Sequence, residues 1–178
     1  MKPILTSFAL ALALAGPVQA QGLAPTDLEA VELLRDEFNT AFTNNDIDAV
    51  VGAVPPKVIQ FIAETNGIDP DQFRTMMVQQ TEAMMGSVEV LGFSMDTGNM
   101  ITGETPAGRT YALVPTVTEM DVDGAGKIRS TSDTVFLQDE GEWYMVRVDN
   151  AQQEQILKAV YPDFADVEFT PGTVEQID

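Results

Sequence analysis

The hydrophobic period of this chain changes once, at Gly86, and no other feature restricts its fold as strongly. Before Gly86, apolar residues recur every three or four positions, the spacing of a helix face. Leu28, Val31, Leu34, Phe38 and Ala41 form the first stripe, and Val58, Ile59 and Ile62 a later one. After Gly86 the period falls to two, as in Leu91, Phe93 and Met95, the alternation of a half-buried strand. Helices grouped first and strands grouped afterwards predict an α+β fold. The expected form is N-terminal helices packed on a curved four-stranded antiparallel meander, with a C-terminal helix.

Local signals divide each half. Thr26 and Glu29 stand at capping-box spacing after Pro25, which marks the start of a first helix. Asn44-Asn45 stops it, and Asp46 caps a short second one through Ile47, Ala49, Val50 and Val51. Pro55-Pro56 opens a third, closed by a left-handed exit at Asn66-Gly67. Asp69-Pro70, a cap followed by proline, starts a fourth that runs to Met85. Strands are expected over 91–95, 109–120, 127–138 and 143–148, joined by turns rich in Asp and Gly. Pro115 inside the second strand implies an edge or a bulge. Asn150, with Gln153 at capping-box spacing, starts a last helix that ends at Pro162, and Val167-Glu168-Phe169 adds a short strand.

The N-terminus has a different character. Lys2 is followed by the apolar run 8–15, the break Gly16-Pro17, and Val18-Gln19-Ala20. This is the pattern of a secretory signal peptide with cleavage after Ala20. The run is too short to span a bilayer, so no membrane span is expected. The chain therefore divides into a signal peptide at 1–20, a single α+β domain at 21–170 and a flexible tail at 171–178. A bacterial periplasmic or secreted location follows.

Composition excludes more than it assigns. Cysteine is absent, so packing holds the domain without disulfides and there is no lipid-anchored Cys. Histidine is absent too, which removes His-based triads and His-ligated metal sites. The chain carries 28 acidic and 9 basic residues, a net charge of −19. That field repels nucleic acid and anionic lipid, so neither is an expected partner. No metal site and no cofactor are expected. No G-x-S-x-G elbow, S-x-x-K motif or Gly-rich phosphate loop occurs. Asp121-Val122-Asp123-Gly124-Ala125-Gly126 lacks the distal Glu of a calcium loop and is read as a hairpin turn.

The segment LLRDEFNTAFTNNDIDAVVGAV resembles the start of NTF2-like (cystatin-like) domains. So does the pattern Thr134-Val135-Phe136-Leu137, an acidic Gly turn, then Trp143-Tyr144-Met145-Val146. The resemblance implies helices on a curved sheet and pairing of copies into a homodimer through the open sheet. That family includes isomerases, dehydratases, accessory domains and ligand-binding modules, so it does not choose a function.

The residues themselves point to a ligand pocket on the sheet. Trp143, Met145 and Arg147 share one face of the fourth strand. If that face points inward, Arg147 ends an apolar cavity and needs a partner, for which Asp133 and Glu119 are the carboxylates at hand. Tyr111 completes the set. If the other face points inward, Arg147 is a solvated residue paired across strands. The methionines, Met76, Met77, Met84 and Met85 on one helix and four more elsewhere, are read as adaptable core filler, with a Met-lined groove for an apolar ligand or a partner helix as the rival. The leading function is a non-catalytic exported binding or accessory module for a small molecule or an envelope protein. The alternative is an isomerase- or dehydratase-like enzyme using Asp133 or Glu119 as base.

Overall fold

A computed structural model describes residues 22–178. The expected signal segment, with its cleavage after Ala20, lies outside the described residues. Four helices come first: α1 (Pro25–Thr43), α2 (Ile47–Gly52), α3 (Pro56–Thr65) and α4 (Pro70–Met85). Strands β1 (Val88–Met95), β2 (Ile101–Glu104), β3 (Thr110–Val122), β4 (Gly126–Asp139) and β5 (Glu142–Val148) follow. Then come α5 (Ala151–Val160), a 3-10 turn at Pro162–Phe164 and β6 (Thr173–Gln176). The fold is α+β, with an open, fully antiparallel sheet of six strands rather than the four expected.

Most helix ends follow local chemistry. Asp46 accepts from the Ala49 N–H at 3.1 Å, and Asp69 accepts from Asp71 and Gln72 at 3.0 and 3.2 Å. Asn150 caps α5 through Gln152 and Gln153 at 3.0 and 3.1 Å. Gly67 takes φ 67°, the left-handed exit from α3. The start of α1 differs from the capping-box expectation: Pro25 is already helical, Ala24 is the cap, and no side chain caps. Proline needs no N–H partner in the first turn, so the helix begins one residue ahead of Thr26.

The two extra strands come from long strands broken by detours. β1 and β2 run end to end along one side of β3, paired with its residues 116–122 and 110–113. Between them the chain leaves the sheet around Asp96, which caps a 3-10 turn at Thr97–Asn99. The detour lies opposite Pro115, whose carbonyl accepts from the Asp96 N–H at 2.9 Å. In an antiparallel ladder a residue's N–H and C=O face the same neighbour, so the N–H that Pro115 lacks falls where β1 ends. Proline is thus accommodated in an interior strand, not at an edge. A register shift between Val90 and Gly92 turns Leu91 outward, off the face that Phe93 and Met95 share.

β5 and β6 repeat the pattern along β4, paired with its residues 133–139 and 128–131. The arm between them, which carries α5, leaves at Asp149 and returns at Gly172, where the Gly172 N–H donates to the Asp149 carbonyl at 2.9 Å. Residues 171–178 were expected as a loose tail, yet Thr173–Gln176 is a paired strand. Val167–Phe169 was expected as a strand and is not one; Phe169 instead stacks on Phe164, with ring centres 6.3 Å apart. A Cβ on Gly172 would stand 2.9 Å from the Asp149 carbonyl oxygen and 3.0 Å from its Cα. Gly172→Ala is therefore expected to lower the unfolding free energy by about 1–3 kcal/mol. A urea transition with an unchanged midpoint would show that the neck has room to give.

Helices cover both faces of the sheet. Val31 of α1 packs on Ala112, Val114, Phe136 and Met145. On the opposite face Leu157, Tyr161 and Phe164 of the arm pack on Leu113, Val135 and Leu137. The side-chain alternation of β3 and β4 thus feeds two apolar cores.

Candidate functional site

A cavity of about 360 Å3 lies between the helices α1, α2 and α4 and the sheet. Its helical wall is Phe38 and Phe42 of α1, Val50 and Val51 of α2, and Met77, Thr81, Met84 and Met85 of α4. Its sheet wall begins with Val88, Val90, Phe93 and Met95 of β1 and continues with Thr116, Thr118 and Met120 of β3, Thr134 of β4, and Met145 and Arg147 of β5. Six methionines therefore touch it. Unbranched thioethers adapt to irregular shapes, so this wall is deformable. Arg147 is the one charged side chain in the lining, and no Asp or Glu joins it among the described residues. The volume falls at the small end of the range typical for ligand sites.

Polar groups gather on the sheet wall. The Thr116 and Thr134 hydroxyls are 2.8 Å apart, and Thr116 also reaches the Val114 carbonyl at 3.1 Å. From β5 the Arg147 side chain lies across β4. Its Nε donates to Ser132 Oγ at 3.1 Å and to Asp149 Oδ1 at 2.8 Å, and its Nη2 donates to Ser130 Oγ at 2.9 Å. Nη1 approaches Thr118 Oγ1 of β3 at 3.5 Å. The guanidinium thus crosses the sheet, with 34% of the side chain exposed.

The sequence-predicted site residues divide between the two faces. Met145 and Arg147 line the cavity, as inward placement of the Trp143 face requires. Trp143 packs beside the same core, with Val31 and Phe136, without lining the cavity. Glu119, Asp133 and Tyr111 do not line this cavity. They have the odd parity of β3 and β4, opposite to Thr116, Thr118 and Thr134. Glu119 pairs with Arg129 at 2.7 Å. Tyr111 packs against Phe164, with ring centres 5.3 Å apart. Sequence reasoning missed the threonines and serines that meet Arg147. Their signal was parity: Thr116 and Thr118 continue the face of β3 that carries the apolar Ala112 and Val114.

A second polar cluster sits on the arm side. Asp139, 7% exposed, accepts from Lys57 Nζ at 2.9 Å, from Tyr161 Oη at 3.1 Å and from Arg109 Nη1 at 3.3 Å. Asp163 accepts from Arg109 Nε at 2.9 Å and from Thr105 at 2.8 Å, and the Arg109 guanidinium lies 4.6 Å from the centre of the Tyr161 ring. Burial pushes the Asp139 carboxyl up, but hydrogen bonds from Lys57 and Tyr161, the Lys57 charge and Arg109 outweigh it and hold the group below its usual value. Asp163 is depressed in the same way, burial being outweighed by Thr105 and Arg109. Burial, with Asp139 beside it, raises the Tyr161 phenol. Every charge here has a partner, so the cluster reads as a clasp between the arm and the sheet.

No helix among the described residues is long and apolar enough to cross a membrane. The Asp121–Gly126 segment forms the β3–β4 hairpin, with Gly124 and Gly126 at positive φ. Comparison with protein-family models, curated proteins and solved structures gives no match for this chain.

Proposed function

We propose that this protein is an exported binding module that holds a small, mainly apolar ligand between its helices and its sheet. The observation that carries the reading is the cavity of about 360 Å3, walled by six methionines and edged by a single charged side chain, Arg147. A solid core would bury these side chains against one another at crystal-like density. Helices packed over an open antiparallel sheet also support an NTF2-like architecture, and the signal pattern ending at Ala20 supports export to a bacterial periplasm or beyond. The binding reading is favoured over the isomerase or dehydratase alternative because Glu119 and Asp133, the bases that alternative names, do not line this cavity.

Native mass spectrometry of protein purified gently from the envelope fraction tests the reading. A retained small molecule of defined mass is the expected result. Arg147→Leu should weaken retention about tenfold or more while the fold persists, since hydrogen bonds to a charged group are worth about 1.5–3 kcal/mol. A chain that comes off bare, and binds no apolar probe when titrated, would move the function to a protein partner.

A further inference from the structure

The unspent charged hydrogen-bonding capacity in the cavity is all of one kind, because Arg147 is the one charged side chain of the lining. Thr116 Oγ1 is within reach of both the Val114 carbonyl and Thr134 Oγ1. A carbonyl only accepts, so Thr116 donates to Val114 and Thr134 donates to Thr116. Both of those hydroxyl protons are therefore used. Arg147 spends Nε on Ser132 and Asp149 and one Nη2 hydrogen on Ser130. Its Nη1 has only the long 3.5 Å approach to Thr118 Oγ1, where Thr118 is the acceptor. The Thr118 hydroxyl proton has no acceptor among the described residues. Around Arg147 the lining can thus still offer a guest the Thr118 O–H, the Arg147 Nη1–H groups and the second Nη2–H, which are donors, whereas its remaining acceptors are neutral hydroxyl oxygens such as those of Thr81 and Thr134.

We infer that the cavity takes an apolar chain whose head is a hydrogen-bond-accepting oxygen, a carboxylate or carbonyl, set against Thr118 and Arg147. This rests on the reading of the cavity as a ligand site and adds the chemistry of the guest. The methionine walls suit a flexible aliphatic body, because they follow its shape. The long-range field argues the other way: a net charge of −19 attracts cationic amphiphiles. A preference for an acceptor head therefore reports the local donors and not the overall charge.

The test compares decanoate, its methyl ester and decylamine, which share a chain and differ in the head. Binding is followed by calorimetry, and its location by methyl resonances of labelled methionine. Met95, Met120 and Met145 line the cavity, whereas Met76 and Met100 do not and serve as internal controls. The expected result is binding of decanoate or its ester with shifts confined to the cavity methyls, and decylamine at least about tenfold weaker. Decanoate without the ester identifies the carboxylate, and both together identify the carbonyl oxygen. Thr118→Val should weaken the acceptor-headed probe about tenfold and decylamine by less. Decylamine seated in the cavity as tightly as decanoate would overturn the inference and leave the cavity reading standing. Cavity methyls unmoved by all three probes would overturn both. If Thr118→Val fails to fold, the ranking of the three probes on the unaltered protein decides.

Discussion

Asp139→Ala is expected to lower the unfolding free energy by about 3 kcal/mol, because a buried carboxylate that holds its partners would vanish. Tyr161 would lose its acceptor while remaining 2% exposed, and Arg109 would keep only Asp163 as an ionic partner. Lys57 is 44% exposed and turns to water at little cost, which keeps the loss near the low end for buried ion pairs. Asp139→Asn retains an acceptor oxygen for Tyr161 and should lose less. For a chain of this size about 3 kcal/mol moves the melting temperature by roughly 6–12 °C. Calorimetry of the three proteins checks the ranking; equal melting temperatures would show that the clasp contributes nothing net.

The same cluster sets a pH window. Asp139 and Asp163 have folded pKa values below the 3.8 of the free side chain. Their contribution is therefore fully present above about pH 4 and is lost as the pH falls further, through the folded values. Tyr161 is shifted up from 10.0, so its contribution is present below pH 10 and is lost as the pH rises through the folded value. Stability measured against pH should fall on both sides, and Asp139→Ala should flatten the acid limb. An acid limb of unchanged slope would place the acid sensitivity elsewhere.

The second large effect is at Phe136. Its side chain is fully buried in the core under α1, opposite Ala112 on β3 and Met145 on β5. Phe136→Ala should cost about 3–5 kcal/mol through lost transfer energy and a residual void. Phe136→Leu keeps most of the apolar volume and should recover most of the loss. Because Met145 borders both Phe136 and the cavity, the alanine variant should also loosen ligand binding. Chemical denaturation and decanoate titration on the same samples measure the two effects; a loss under about 1 kcal/mol would mean that the core closes over the gap.

The class of the fold was legible because the period of apolar residues changes at Gly86 and because Asp46, Asp69 and Asn150 cap by purely local rules. β2 and β6 were not legible. Each has four residues and is flanked by turn formers, and each exists only because a long neighbour offers an unpaired stretch of ladder. Half of the site was legible for a related reason. Trp143, Met145 and Arg147 share a face by their own spacing, so one strand sufficed. The partners of Arg147 depend on register between strands, which no single strand encodes. A guanidinium suggests carboxylates, and the nearest by type were Glu119 and Asp133. The register instead brings Thr118, Ser130 and Ser132 beneath it, with Asp149 two residues on along the chain.

The neck at Asp149 and Gly172 makes the arm modular. Its two ends meet, so its length is decoupled from the sheet: residues added near its far turn would not move β6 relative to β5, and loop closure grows only slowly with length. A different arm grafted between the same two residues would be held at the same neck but would have to rebuild the core that Leu157, Tyr161 and Phe164 form on the sheet. Asp149 also holds Arg147, so any replacement would be rooted beside the polar wall of the cavity. The architecture thus offers one place, the far turn of the arm, where lineage or laboratory can lengthen the chain without redrawing the sheet, provided the face of the arm that packs on Leu113, Val135 and Leu137 is kept.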